Sequence, residues 1–238
     1  MVKTISLIQD IQLHDDSLKN MQIDVINHSD IVVFNTNYVY SKYKNYMTHN
    51  NVKIIPLGVN FDFFKPISER HPDVLPNSIL FIGSSLTYPK GFDRLLKIIE
   101  EMKDSNFCLI MKDNFSYDQL PSQLNCRVKI FNRINHETVR IIINSCICAI
   151  CTSYEETQHL SGIECGACDI PIIASCVGIY NDCQNNEDWG VIADDTNFVE
   201  KINYVIKNKD KFNPRDYFIK QGYSIPSCRG AWTSLVNN

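Results

Sequence analysis

A chain of 238 residues is long enough to bury most of its apolar surface, in one large domain or two small ones. Its 44% hydrophobic and 21% charged residues are those of a globular protein in water, and a net charge of −4 without a basic face argues against nucleic acid as a partner. No apolar run reaches the roughly 18 residues of a transmembrane segment, and residues 1–10 lack the apolar core and cleavage site of a signal peptide, so the expected location is cytoplasmic.

In chain order, residues 3–10 read as a buried strand, 18–28 as a helix, 30–36 as a second strand, 37–47 as a helix and 52–60 as a short strand with a turn. Residues 61–77 carry Pro66, Pro72 and Pro76 and read as a linker. A fresh pattern follows: strand 78–82, helix 91–102, strands 107–111 and 128–131, helix 136–144 and strand 146–151. A short helix after Glu156, a strand at 171–175 and a helix at 197–207 complete it, and residues 214–236 read as helical. Short continuous apolar strands alternating with helices predict an α/β fold with a Rossmann-like parallel sheet covered on both faces. The expected divisions are 1–60, 61–77, 78–213 and 214–238.

Chemistry concentrates in Ser153-Tyr154-Glu155-Glu156-Thr157-Gln158-His159-Leu160-Ser161-Gly162-Ile163-Glu164. Glu156 and Glu164 stand eight residues apart, one on a loop and the other in the first turns of a helix. A carboxylate can accept hydrogen bonds from two neighbouring hydroxyls, which suits a sugar diol. The helix N-terminus beside it offers free amides and partial positive charge, which suit a phosphate. A nucleotide-diphosphate sugar needs both. In Phe81-Ile82-Gly83-Ser84-Ser85-Leu86-Thr87-Tyr88-Pro89-Lys90-Gly91, a strand ends at Gly83, where backbone can approach a ligand closely. Lys90 opens the next helix, placed to neutralise a diphosphate or to stand as a solvated surface lysine.

Ten cysteines include Cys165-x-x-Cys168, a redox or zinc half-site by spacing, but no second half accompanies it and buried reduced thiols are expected. The pairs Asp15-Asp16 and Asp194-Asp195 lack the strand-linked setting of a metal-dependent transferase, so no metal is expected. No Gly-x-Gly-x-x-Gly follows the first strand of either α/β unit, which disfavours a dinucleotide-binding domain.

The stretch from Glu156 to Gly178 resembles the donor-sugar signature of family-4 glycosyltransferases (glycosyl transferases group 1), retaining enzymes of GT-B fold. That signature is a Glu, seven intervening residues, a second Glu, a small-residue helix and a strand like Pro171-Ile172-Ile173-Ala174-Ser175. Residues 30–38 and the segment Ile54-Ile55-Pro56-Leu57-Gly58-Val59-Asn60 resemble the family's last N-domain strand and interdomain connector, with Leu57 replacing the usual Asn. The resemblance implies a GT-B C-terminal half, residues 78–213, that binds a nucleotide-diphosphate sugar, preceded by a truncated remnant of the acceptor domain, residues 1–60.

It further implies that Glu164 holds ribose hydroxyls, that Glu156 orients the hexose near the reaction centre, with Glu155 as competitor, and that Lys90 clamps the diphosphate. The stretch His159, Leu160 and Ser161 would touch donor sugar or phosphate through backbone N–H groups, and Arg133 and Ile134 would cradle the nucleobase. Two positions depart from the pattern. Ser84 replaces an Arg that clamps the diphosphate, leaving Arg94 or Arg133 to compensate, and His159 replaces a Gly, either as an imidazolium offsetting the lost charge or as a structural histidine. The implied activity is transfer of a sugar, with retention and without a cofactor, to an unknown glycan, lipid or protein acceptor, and it would need either a separately encoded N-terminal half or a compact acceptor site built from residues 1–60. The alternative is a non-catalytic nucleotide-sugar-binding module.

Overall fold

The computed structural model describes residues 3–86, 88–121, 124, 127–183 and 187–237. The first unit is a parallel sheet of β1 (Ile5–Ile8), β2 (Ile31–Phe34) and β3 (Val52–Ile54), with α1 (Asp16–His28) and α2 (Asn37–Tyr43) between successive strands. Each helix starts at a side-chain cap: Asp15 accepts from the amide of Leu18 and Thr36 from that of Val39.

The second unit begins with β4 (Ser78–Gly83), α3 (Phe92–Glu101), β5 (Phe107–Met111), β6 (Val128–Asn132) and α4 (His136–Ser145). It continues through β7 (Cys146–Cys151), α5 (Leu160–Ala167), β8 (Ile172–Ala174), α6 (Ile179–Asp182), β9 (Gly190–Ile192) and α7 (Phe198–Lys207), and α8 (Pro214–Lys220) and α9 (Ile225–Asn237) end the chain. The six strands are parallel in the order β6-β5-β4-β7-β8-β9. The chain builds outward from β4 to β6 and then crosses back to β7, so strand order reverses between β4 and β7. In such sheets the crevice beyond the carboxyl ends of those two strands is where ligands bind.

Strand residues alternate between two apolar layers. Leu80, Cys108, Ile110, Ala149, Cys151 and Ile172 pack toward α4, α5 and α8. Ile79, Phe81, Leu109, Cys148, Ile150 and Ile173 pack toward α3 and α7. A period of two with both faces buried is what continuous apolar strands require.

Three features were not legible beforehand. β9 and α6 are only three and four residues long, below the length at which periodicity is visible. The C-terminal helical stretch is broken at Gly222, whose φ of 82° reverses the chain and lets Val59 pair with Ser224. The segment after Asn60 packs firmly: Phe61 and Phe64 are buried in the same core as β4, β7 and α5. Arg215 donates to the carbonyls of Phe61, Phe64 and Ala167 and lies over the Phe61 ring, joining this segment to α5 and α8. Among the described residues no helix is long and apolar enough to cross a membrane.

Arg215→Ala leaves three part-buried carbonyls without their donor. It is expected to lower stability by about 2–3 kcal/mol, read as a lower urea midpoint. Arg215→Lys should recover less than half, because an ammonium cannot reproduce the planar fork. A midpoint unchanged by the alanine variant would contradict this role.

Candidate functional site

Two loops close together at the carboxyl end of the switch point. Gly91 takes φ 62°, and a Cβ there would lie 2.0 Å from the Thr152 carbonyl oxygen. Only glycine allows the start of α3 to rest against the end of β7 in this way. Thr152 Oγ1 donates to the carbonyls of Gly91 (2.9 Å) and Lys90 (3.1 Å), and the Tyr154 amide donates to Pro89 (2.8 Å). This zipper brings Lys90 and Glu156, 66 residues apart in sequence, into an ion pair with Nζ 2.6 Å from Oε1. Ser153 Oγ donates to the same oxygen at 2.8 Å.

Glu156 is 8% exposed. Burial alone would raise its pKa, but the field of His159, the Lys90 ammonium and the hydrogen bonds from Lys90 and Ser153 outweigh it and leave the carboxyl below the usual range. The neighbouring Glu155 lies 3.5 Å from His14 of the first unit. The two candidate glutamates are thereby separated, and Glu156 is the one joined to Lys90.

His159 begins α5 in the left-handed region, φ 68°. Its Nδ1 is 2.7 Å from the Tyr180 hydroxyl. Burial, aided by the positive charges of Lys90 and Lys112 and opposed by Glu156, pulls its pKa down to about 4. The ring is therefore neutral near pH 7, and the imidazolium reading is set aside. Leu160 is exposed and Ser161 half-buried on the first turn of α5. Ser161, His159, Gly162 and Cys165 line a shallow indentation with Ile82, Ala149 and Ile150, directly at the ends of β4 and β7. Glu164 follows one turn later, half-buried and without a side-chain hydrogen bond among the described residues. Burial raises its pKa, while the charges of His136 and Lys112 act against that rise.

Gly83 ends β4, but its missing Cβ accommodates the Phe81 ring, 2.5 Å from where that atom would be. Ser84 is buried and donates to Asp113 Oδ2 (2.8 Å). The same oxygen accepts from Ser85 N (2.7 Å), Ser85 Oγ (2.9 Å) and Leu86 N (3.1 Å). Burial raises the Asp113 pKa less than these hydrogen bonds lower it, so the carboxylate is charged and organises the loop. Arg133, exposed with φ 49°, and Ile134, packed on the core, stand at the end of β6, two strands from β4. Arg94 cannot replace the missing arginine. It pairs with Asp195, donates to Thr152 O and stacks 3.7 Å over Tyr154, on the α3–α7 side.

Other expected sets resolve structurally. Asp15 caps α1 and Asp194 binds Thr196, while Asp195 serves Arg94. Cys165 and Cys168 are free and buried, and burial pushes the Cys168 thiol up to about 12. Cys151, Glu156 and His159 bring possible ligand atoms within 4.8 Å of one another. Their chemistry suits a cation poorly: burial holds the Cys151 thiol near 12, and the Lys90 ammonium already occupies Glu156. Sequence reasoning missed Ser153, Lys112, Asp113 and Tyr180. The signal available for the middle pair was their position just past a predicted strand of a parallel sheet.

The sequence model of a family described as glycosyl transferases group 1 matches residues 66–225. No curated protein matches the sequence. Sucrose-phosphate synthase from Thermosynechococcus elongatus has a similar structure, with TM-score 0.84 at 16% identity over 98% of this chain and 67% of that one. Anabaena HepE in complex with UDP and glucose gives 0.82 at 15% identity, covering 98% and 71%. The C-terminal domain of a group 1 glycosyl transferase family protein from Francisella tularensis gives 0.57 at 16% identity, over 71% of this chain and 100% of that domain. At such identities the likeness concerns the fold, which is GT-B.

Lys90→Ala strands a buried carboxylate and is expected to cost about 1–3 kcal/mol, but less than half as much in a Glu156→Gln background. The folded pKa of Glu156 lies below its ordinary 4.5, so the pair's stabilisation is present above that pH and lost as pH falls through the folded value. His159, pulled from 6.5 to about 4, takes up protons first when unfolded and lowers stability across that same interval. Urea midpoints for the four combinations from pH 7 to pH 3.5 check this. Equal losses for Lys90→Ala in both backgrounds would contradict the pairing.

Proposed function

The chain belongs to the glycosyl transferases group 1 family, and from that premise we propose that it transfers a hexose from a nucleotide-diphosphate sugar to an acceptor hydroxyl with retention at the anomeric carbon. The observation that carries this reading is the Lys90–Glu156 pair at the mouth of the β4–β7 crevice. A partly exposed ammonium, a buried carboxylate and the N-terminus of α5 stand together there, which is the set a sugar diphosphate needs. The neighbour complexes with UDP, glucose and UDP-glucose favour a uridine nucleotide as the first donor to try.

On donor binding, Lys90 exchanges Glu156 for a phosphate oxygen, and the first amides of α5 face the same charge. Glu156, released from the ammonium, accepts hydrogen bonds from hydroxyls of the transferred sugar. Glu164, one turn farther along, accepts the ribose diol, and the Arg133–Ile134 backbone borders the base. Tyr180 keeps its proton, because burial raises its pKa. The Tyr180 hydroxyl and His159 Nδ1 share a hydrogen bond that fixes the imidazole beside the donor site. In the transfer, the bond from the anomeric carbon to the phosphate oxygen breaks while the acceptor oxygen bonds to the same face. The acceptor proton passes to the departing phosphate, whose charge Lys90 and the α5 terminus stabilise. No metal is needed for that stabilisation.

The acceptor, a glycan, lipid or protein hydroxyl, is assigned to the cleft between the two units, completed by a further α/β half on the same or a separate polypeptide. The described cysteines are free thiols, which suits a reducing cytoplasm. One observation favours a non-catalytic nucleotide-sugar-binding module instead: the β4–α3 loop carries Ser84 and turns two of its amides to Asp113.

Calorimetric titration with UDP-glucose, UDP-N-acetylglucosamine, GDP-mannose and ADP-glucose should show saturable binding of at least one donor. Glu164→Ala and Lys90→Ala should each weaken it about tenfold. No saturable heat with any donor overturns the reading. Binding without hydrolysis or transfer selects the binding module.

A further inference from the structure

A diphosphate bound at the β4–β7 crevice meets one cation from the β4–α3 loop, Lys90, and none at Ser84. The amides of Ser85 and Leu86 already face the Asp113 carboxylate, so that loop has little further positive potential to offer. Arg94 is held by Asp195 on the other side of α3, and His159 is neutral near pH 7. The anion site described above is therefore short of positive charge by one group.

The strand beside β4 supplies one. In the ladder Gly83 is opposite Met111, and the Lys112 amide donates to the Gly83 carbonyl at 2.8 Å. Lys112 thus leaves β5 alongside Ser84, at the carboxyl edge of the sheet. Met111 on one side and Asp113 on the other are buried, whereas Lys112 is exposed. Among the described residues its ammonium forms no ion pair or hydrogen bond. Its positive charge reaches both His159 and Glu164, which begin and continue the first turns of α5. The Lys90 charge reaches His159 as well. The two lysines flank the end of β4, one from β5 and one from the start of α3, with the N-terminus of α5 facing them.

We propose that Lys112 is the second cation of the diphosphate site, supplying from the end of β5 the charge that Ser84 does not supply from the end of β4. This rests on the reading of the crevice as a nucleotide-diphosphate-sugar site. Asp113, the next residue, gathers the Ser84–Leu86 loop against the end of β5.

Titration of the full chain with UDP and with uridine tests the assignment. Lys112→Ala should weaken UDP about tenfold while changing uridine affinity less than twofold, because only the former carries phosphate. Lys112→Arg should stay within about threefold of wild type for UDP, as charge rather than shape is required. Lys112 is exposed and has no side-chain partner among the described residues, so the variants should melt with wild type, a readout that separates ligand binding from folding. If wild type binds UDP and Lys112→Ala binds it equally well, the inference fails while the donor-site reading stands. If wild type binds neither UDP nor GDP nor ADP, both fall.

Discussion

The Lys90–Glu156 ion pair is the contact on which the site depends. It is possible only because Gly91 admits the Thr152 carbonyl where any side chain would collide. The pair joins the loop after β4 to the loop after β7 across the point where strand order reverses. It also fixes protonation states: Glu156 stays ionised although buried, and the Lys90 charge helps keep His159 neutral. A buried ion pair is weak evidence for stability, since the cost of taking charges out of water can exceed their attraction. Lys90 keeps a quarter of its side-chain surface exposed, so its ammonium can leave for a phosphate without crossing the core. The pair thus joins the two loops while leaving the ammonium open to solvent.

The sheet explains why these groups converge. Parallel strands deliver all their carboxyl ends to one edge, and the reversal between β4 and β7 opens a crevice there. α5, starting at the left-handed His159, lies over that crevice, and Gly162 lets the Tyr180 hydroxyl approach the imidazole. The first unit is tied to the same place. Gln158, buried beside the site, exchanges hydrogen bonds with the Leu57 backbone (2.8 and 2.7 Å), and Thr36 donates to Thr157 O. A movement between the two units would therefore be felt within a residue or two of both Glu156 and His159.

Much of the architecture was legible in the sequence. Continuous apolar runs gave β5 and β7 with both ends in place, because strands buried on two faces admit no polar interruption. β9 and α6 escaped notice because a few residues carry no period. Within the site, the Glu156–Glu164 spacing and the position of Lys90 before a helix could be read locally. Their partners could not, since Lys90 with Glu156 and Ser84 with Asp113 meet only through strand pairing. Arg94 illustrates the converse: near in sequence to Lys90, it turns to Asp195 instead, because the left-handed Gly91 separates Lys90 from α3, on which Arg94 lies. His159 looked able to carry charge until its burial and cationic neighbours were known.

The central claim is that Lys90 and Glu156 part so that each can hold a different piece of one ligand. A crystal structure of the chain with UDP-glucose or UDP tests it most directly. The account predicts Lys90 Nζ within hydrogen-bond distance of a phosphate oxygen and no longer on Glu156, with the nucleotide lying along the first turn of α5. A nucleotide bound elsewhere, or bound at the crevice with the 2.6 Å pair unchanged, would contradict it.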